Sequence, residues 1–101
     1  MGNAYVYTYD ELQNVILPIL HKYNADKGML FGSYARKQAT AESDIDLVVF
    51  GGSKFILTDI FAIAEELHRA SGKKVDVYEI SEINEGTAFY EAIMKEGVFL
   101  Q

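Results

Sequence analysis

Residues 32–50, GSYARKQATAESDIDLVVF, join a Gly-Ser pair, a polar stretch and a β-branched run that opens with two alternating aspartates. The last seven, DIDLVVF (44–50), form the clearest strand signal in the chain, and Gly51-Gly52 close it. Successive strand residues face opposite sides, so Asp44 and Asp46 project together while Ile45, Leu47 and Val49 enter the core. At the usual rise per residue their Cα atoms stand about 6.5–7 Å apart. Two carboxylates at that spacing can converge on a pair of hard cations held ~3.5–4 Å apart, the separation used in two-metal phosphoryl transfer. Mg²⁺ suits such a site, because it takes few protein carboxylates and fills its shell with water and phosphate oxygens.

The pattern extends outward on both sides. Upstream, Thr8 and Glu11 have the form of a capping box, and Leu12, Val15, Ile16, Ile19, Leu20 and Tyr23 recur at helical spacing. That predicts a helix over residues 9–23, with Pro18 on its polar side as a candidate kink. GMLF (28–31) reads as a short strand leading into Gly32, SYARK as a helical turn and QATAES as a polar loop. Downstream, a second helix is expected from a cap at Thr58 to just before Gly72, with Ile60, Ile63, Ala64 and Leu67 as its inner stripe. KVDVYEI (74–80) alternates like a strand, 87–96 reads as a third helix stopped by Gly97, and VFL (98–100) as a last short strand. This order predicts an α/β (α+β) fold: a small mixed β-sheet with helices packed mainly on one face. No repeat or linker divides the chain, so residues 1–101 are expected to form one domain.

A third carboxylate would complete the site. Val75 and Val77 flank Asp76 and fix it on the face opposite the core. If its strand pairs beside residues 44–50, the three carboxylates meet, and Asp76 can serve as general base toward an attacking hydroxyl. Gly32 lets the backbone approach a phosphate closely, and Ser33 opens a helical turn whose N-terminus favours an anion. Ser33 can equally cap that turn. Arg36 follows within reach as a nucleotide contact. Metal ligands are thus expected at Asp44, Asp46 and Asp76, and nucleotide contacts at Gly32, Ser33 and Arg36.

Composition narrows the class. Half of the residues are hydrophobic and 24% are charged, which is ordinary for a globular chain. There is no cysteine, so disulfide and thiolate-metal frameworks are excluded. No apolar run approaches a membrane span and no signal peptide precedes residue 10, so a cytoplasmic location is expected. The net charge of −6 and the scattered basic residues disfavour nucleic acid as partner. His21 and His68 lack a second ligand at suitable spacing and read as surface or boundary residues. Tyr5, Tyr7 and Tyr9 alternate as an edge or subunit contact would, which leaves room for a homo-oligomer. Asp59, Glu65 and Glu66 read as helix-solubilising charges.

The combination resembles the minimal nucleotidyltransferases of the DNA polymerase β-like superfamily, whose signature is Gly-Ser, about ten residues, then Asp-x-Asp. Here Gly32-Ser33, residues 34–43 and Asp44-Ile45-Asp46 follow that order, and Ala35-Arg36, Ser43 and the ending IMKEGVFL also fit. Asp76 falls where the third carboxylate of that family is expected. Lys37 departs from the pattern, since glycine often follows the Ala-Arg pair, and the extra helical domain of the larger enzymes has no counterpart. The resemblance implies a Mg²⁺-dependent enzyme, with two ions, that transfers AMP from ATP. It further implies similarity to the antitoxin of HEPN/MNT toxin–antitoxin pairs, with a hydroxyl of a HEPN-type toxin, a tyrosine above all, as acceptor. Two alternatives stay open: an antitoxin that neutralises its partner by contact alone, and a transferase acting on a small molecule.

Overall fold

The structure is a computed structural model that describes residues 4–101. Its first helix, α1 (Tyr9–Lys22), starts where Thr8 and Glu11 cap each other reciprocally, as the pattern predicts. Leu12, Ile16 and Leu20 form its buried stripe, and the helix continues through the exposed Pro18. After it come β1 (Lys27–Phe31), α2 (Gly32–Ala35), β2 (Ile45–Phe50), α3 (Asp59–Ser71), β3 (Val75–Glu79), a 3-10 turn (Ile80–Glu82), α4 (Ala88–Glu96) and β4 (Val98–Phe99). The strands form one mixed sheet in the order β3-β2-β1-β4. β1 is antiparallel to β2 and to β4, whereas β2 and β3 run parallel.

Alternation along the strands sorts the side chains onto two faces. Leu30, Ile45, Leu47, Val49 and Val75 pack with the buried stripe of α1 and with Ile63 and Leu67 of α3. Met29 and Val48 point the other way and pack with Ile83 and with Ile93 of α4. The two long helices thus cover one face, and α4 crosses the other. Among the described residues no helix is long and apolar enough to cross a membrane.

Several local expectations are revised. Asp44 lies just before β2 rather than within it. Thr58 makes no side-chain cap to α3. The amides it would have served, those of Ile60 and Phe61, instead donate to the Leu57 and Thr58 carbonyls of the entering turn. Tyr5, Tyr7 and Tyr9 are not a strand edge: the Tyr7 hydroxyl donates to the Ser71 carbonyl (2.6 Å), that of Tyr9 to the Phe99 carbonyl (2.6 Å), and that of Tyr5 to Glu11. They strap the segment before α1 onto the rest of the chain. Glu66 does more than solubilise α3, since it joins Lys22 (3.0 Å) and the Tyr23 hydroxyl across to α1.

Glu79 is a buried carboxylate (7% exposed) that no local pattern singles out. It accepts from the Gly51 amide (2.9 Å), the Ser81 amide (2.8 Å) and the Ser81 hydroxyl, so it ties the turn after β2 to the end of β3. Burial alone would push its carboxyl up, but the hydrogen bonds from Ser81, Gly51 and Ile80 hold it below the usual range.

Candidate active site

The parallel pairing of β2 with β3 sets Asp46 directly beside Asp76, and the antiparallel pairing of β1 with β2 sets Phe31 on the other side of Asp46. Adjacent strands lie ~4.8 Å apart, so the register alone brings two carboxylates into one short row. Asp44 joins them from the loop. A tight turn holds it there: the Thr40 amide donates to the Ser43 hydroxyl (2.9 Å) and the Ser43 amide to the Thr40 carbonyl (3.0 Å). The buried Lys73 donates from Nζ to the Ala41 carbonyl (2.9 Å), which fastens this loop to the chain entering β3. The Ile45 amide donates to the Lys74 carbonyl (2.9 Å) and closes the same seam.

Electrostatics follow from the row. Partial burial pushes the Asp46 carboxyl above its ordinary range, and the neighbouring Asp76 and Asp44 charges push in the same direction. Arg36 and Lys74 oppose the rise. The Tyr78 hydroxyl, two residues beyond Asp76, is also held above its ordinary value, first by burial and then by the Asp76 and Asp46 charges.

Gly32 has a more demanding role than close approach to phosphate. Its φ is +71°, in the left-handed region, and a Cβ placed on it would stand 2.3 Å from Oδ2 of Asp46. Only glycine both turns the chain here and leaves room for the carboxylate. Ser33, half-buried in the first turn of α2, makes no capping bond to that helix. Its carbonyl accepts from the Gln38 amide (2.9 Å), which folds the loop back. Arg36 is ion-paired with Glu96 of α4 (3.3 Å) and donates to Gln38 (3.2 Å), so it bridges α2 and α4 at the margin of the row.

Among the described residues no three acidic or imidazole side chains are drawn into a closed metal cage. The donor set is nevertheless hard carboxylate oxygen with no soft ligand beside it, and the space in front of Asp46 is kept by a glycine. That chemistry fits Mg²⁺, which needs few protein ligands. Lys73 and Glu79, which brace this end and the far end of the sheet, lack any sequence signal beyond being charged residues near strand ends.

A mixed sheet with paired carboxylates on neighbouring strands and a Gly-Ser turn against them defines a nucleotidyltransferase core. The chain belongs to the polymerase beta nucleotidyltransferase family, whose model matches residues 14–101. It is 37% identical, over 75 residues, to a putative protein adenylyltransferase of Methanocaldococcus jannaschii, with 74% of this chain and 81% of that one covered. Among solved structures it resembles a toxin–antitoxin complex with AMP-PNP (TM-score 0.75, 23% identity, 88% of this chain and 72% of that chain). It also resembles a chain of the complex of tri-AMPylated Shewanella oneidensis HEPN toxin with MNT antitoxin (TM-score 0.71, 21% identity, 93% and 72% covered). A third likeness is to a putative minimal nucleotidyltransferase (TM-score 0.74, 23% identity, 91% and 95% covered). At these identities the structural likenesses establish the fold.

Proposed function

We propose that this protein transfers AMP from ATP to a hydroxyl of a partner protein, a HEPN-type toxin, and thereby acts as its antitoxin. The observation that carries the reading is the row itself: Asp46 paired with Asp76, Asp44 beside them, and Gly32 pressed against the Asp46 carboxylate. The adenylyltransferase relative and the AMPylated toxin in a neighbour's complex favour AMP and a protein acceptor.

In this scheme Asp44, Asp46 and Asp76 hold Mg²⁺, which when bound neutralises charge on the triphosphate and on its leaving group. Ser33 donates its hydroxyl to a phosphate oxygen, and the Gly32 backbone lies flush against the same group. Asp76 takes the proton as the acceptor oxygen attacks the α-phosphorus. The bond from that phosphorus to the bridging oxygen breaks, and pyrophosphate leaves with the electron pair. The charge of −6 repels RNA and DNA as acceptors. A protein acceptor brings its own binding surface.

Thermal melting tests the nucleotide site. ATP together with Mg²⁺ is expected to raise the melting temperature, because a ligand that binds only the folded state stabilises it. The increment should vanish in Asp46→Asn and in Asp76→Asn. An undiminished increment in both variants would remove the carboxylates from the site.

A further inference from the structure

The sheet face that carries Asp46 and Asp76 also carries three aromatic rings to which the transfer reaction assigns no role. Phe31 stands beside Asp46 in the β1–β2 register, and it is the residue immediately before Gly32. Tyr78 follows Asp76 by one same-face step along β3, about 6.5–7 Å. Phe89, in the first turn of α4, meets both. Ring centroids are 5.9 Å apart for Phe31–Tyr78, 5.6 Å for Phe31–Phe89 and 5.4 Å for Tyr78–Phe89, at interplanar angles of 55°, 73° and 68°. Each ring is braced by the edges of the others, a favourable arrangement that fixes their orientation. Yet Tyr78 is 37% exposed and Phe89 41% exposed. Phe31 packs against the core formed by Met29, Val48, Ile83 and Ile93 and anchors the cluster, while the Tyr78 and Phe89 rings stand open to solvent.

Rigid, uncharged, solvent-facing rings beside a phosphate-and-metal site suit one chemistry, a flat heteroaromatic group joined to that phosphate. A triphosphate lying along Gly32 and Ser33, with its α-phosphate at the carboxylates, must send its ribose and base along the same face. The step from Asp76 to Tyr78 is about the reach of a ribose. We infer that Phe31, Tyr78 and Phe89 form the platform on which the nucleobase of the NTP rests. The inference relies on the NTP reading above and adds the part of the substrate that this reading leaves unplaced. Stacking tolerates any base and rewards ring area, so the platform favours purines over pyrimidines and separates ATP from GTP only weakly. A docking patch for a whole protein would require a far wider area than three rings supply.

Calorimetric titration separates base from phosphate. Wild type, Phe89→Ala and Phe89→Tyr are each titrated, in Mg²⁺, with ATP and with inorganic tripolyphosphate. Phe89→Ala should weaken ATP about tenfold or more and leave tripolyphosphate unchanged, while Phe89→Tyr, which keeps the ring, should bind ATP as wild type does. Unchanged ATP affinity in Phe89→Ala, or equal weakening of both ligands, would overturn the platform. So would wild type binding tripolyphosphate as tightly as ATP, a comparison that needs no variant to fold and leaves the phosphate site standing. Wild type that binds neither ligand would overturn the NTP reading itself.

Discussion

Gly32 and Asp46 are in contact across the β1–β2 pair: a Cβ on Gly32 would lie 2.3 Å from Oδ2 of Asp46 and 3.2 Å from its carboxyl carbon. The glycine therefore sets the position of the carboxylate as well as the course of the turn. Gly32→Val is expected to abolish nucleotidyl transfer. Its left-handed backbone alone should cost about 1–2 kcal/mol of stability, measurable by denaturant titration. A Gly32→Val protein with wild-type stability and turnover would show that Asp46 swings clear without consequence.

The raised Asp46 carboxyl makes a pH prediction for the metal-free protein. Its folded pKa lies above its unfolded one, so between the two values the native state holds more protons than the unfolded state. Stability falls as pH rises through that window, and the full cost persists above it. Asp46→Asn should accordingly melt higher than wild type at neutral pH. The two should converge in acid, below the carboxylate range. Equal melting at neutral pH in the presence of EDTA would contradict the account.

Glu79 carries the opposite sign. Its folded pKa is depressed, so its contribution is present above the unfolded carboxylate pKa and is lost as pH falls through the folded value. Glu79→Ala leaves the buried Gly51 amide without its acceptor, at about 1–3 kcal/mol, and turns the amide of the exposed Ser81 over to water. Denaturant titration should show that loss at pH 7 and a smaller one in acid. The Mg²⁺-ATP melting increment should survive, because the row at the other end of the sheet is untouched.

Lys37 occupies a left-handed conformation, with φ at +58°. This explains why glycine suits the position in the resemblance drawn from the sequence. Lys37→Gly removes a side-chain penalty of about 1–2 kcal/mol and gives back part of it through greater freedom of the unfolded chain. A net gain below about 1 kcal/mol is expected, with transfer unaffected. A destabilised variant would mean that the lysine side chain packs favourably enough to outweigh its backbone.

The sequence is informative where the physics is local. Gly32-Ser33 and Asp44-Ile45-Asp46 are short-range patterns, and Asp76 is exposed by the two valines around it, so the mixed sheet and its acidic row are legible before any coordinates. The reason for Gly32 is not, because its contact with Asp46 exists only once β1 and β2 are in register. The Phe31–Tyr78–Phe89 cluster joins β1 to the remote β3 and α4, and no periodicity connects them. Glu79 looks like any polar residue in an alternating strand, and its burial depends on a turn 28 residues away. Thr58 misleads for the converse reason: the cap signal is present, but the preceding turn already satisfies the amides.

Intact-mass measurement of the partner tests the central claim most directly. The protein is mixed with a HEPN-type toxin, ATP and Mg²⁺, and the toxin is weighed. The account predicts one or more AMP additions to the toxin, absent when Asp46→Asn replaces the wild type and absent without Mg²⁺. Tight binding and full neutralisation of a toxin of unchanged mass would contradict it.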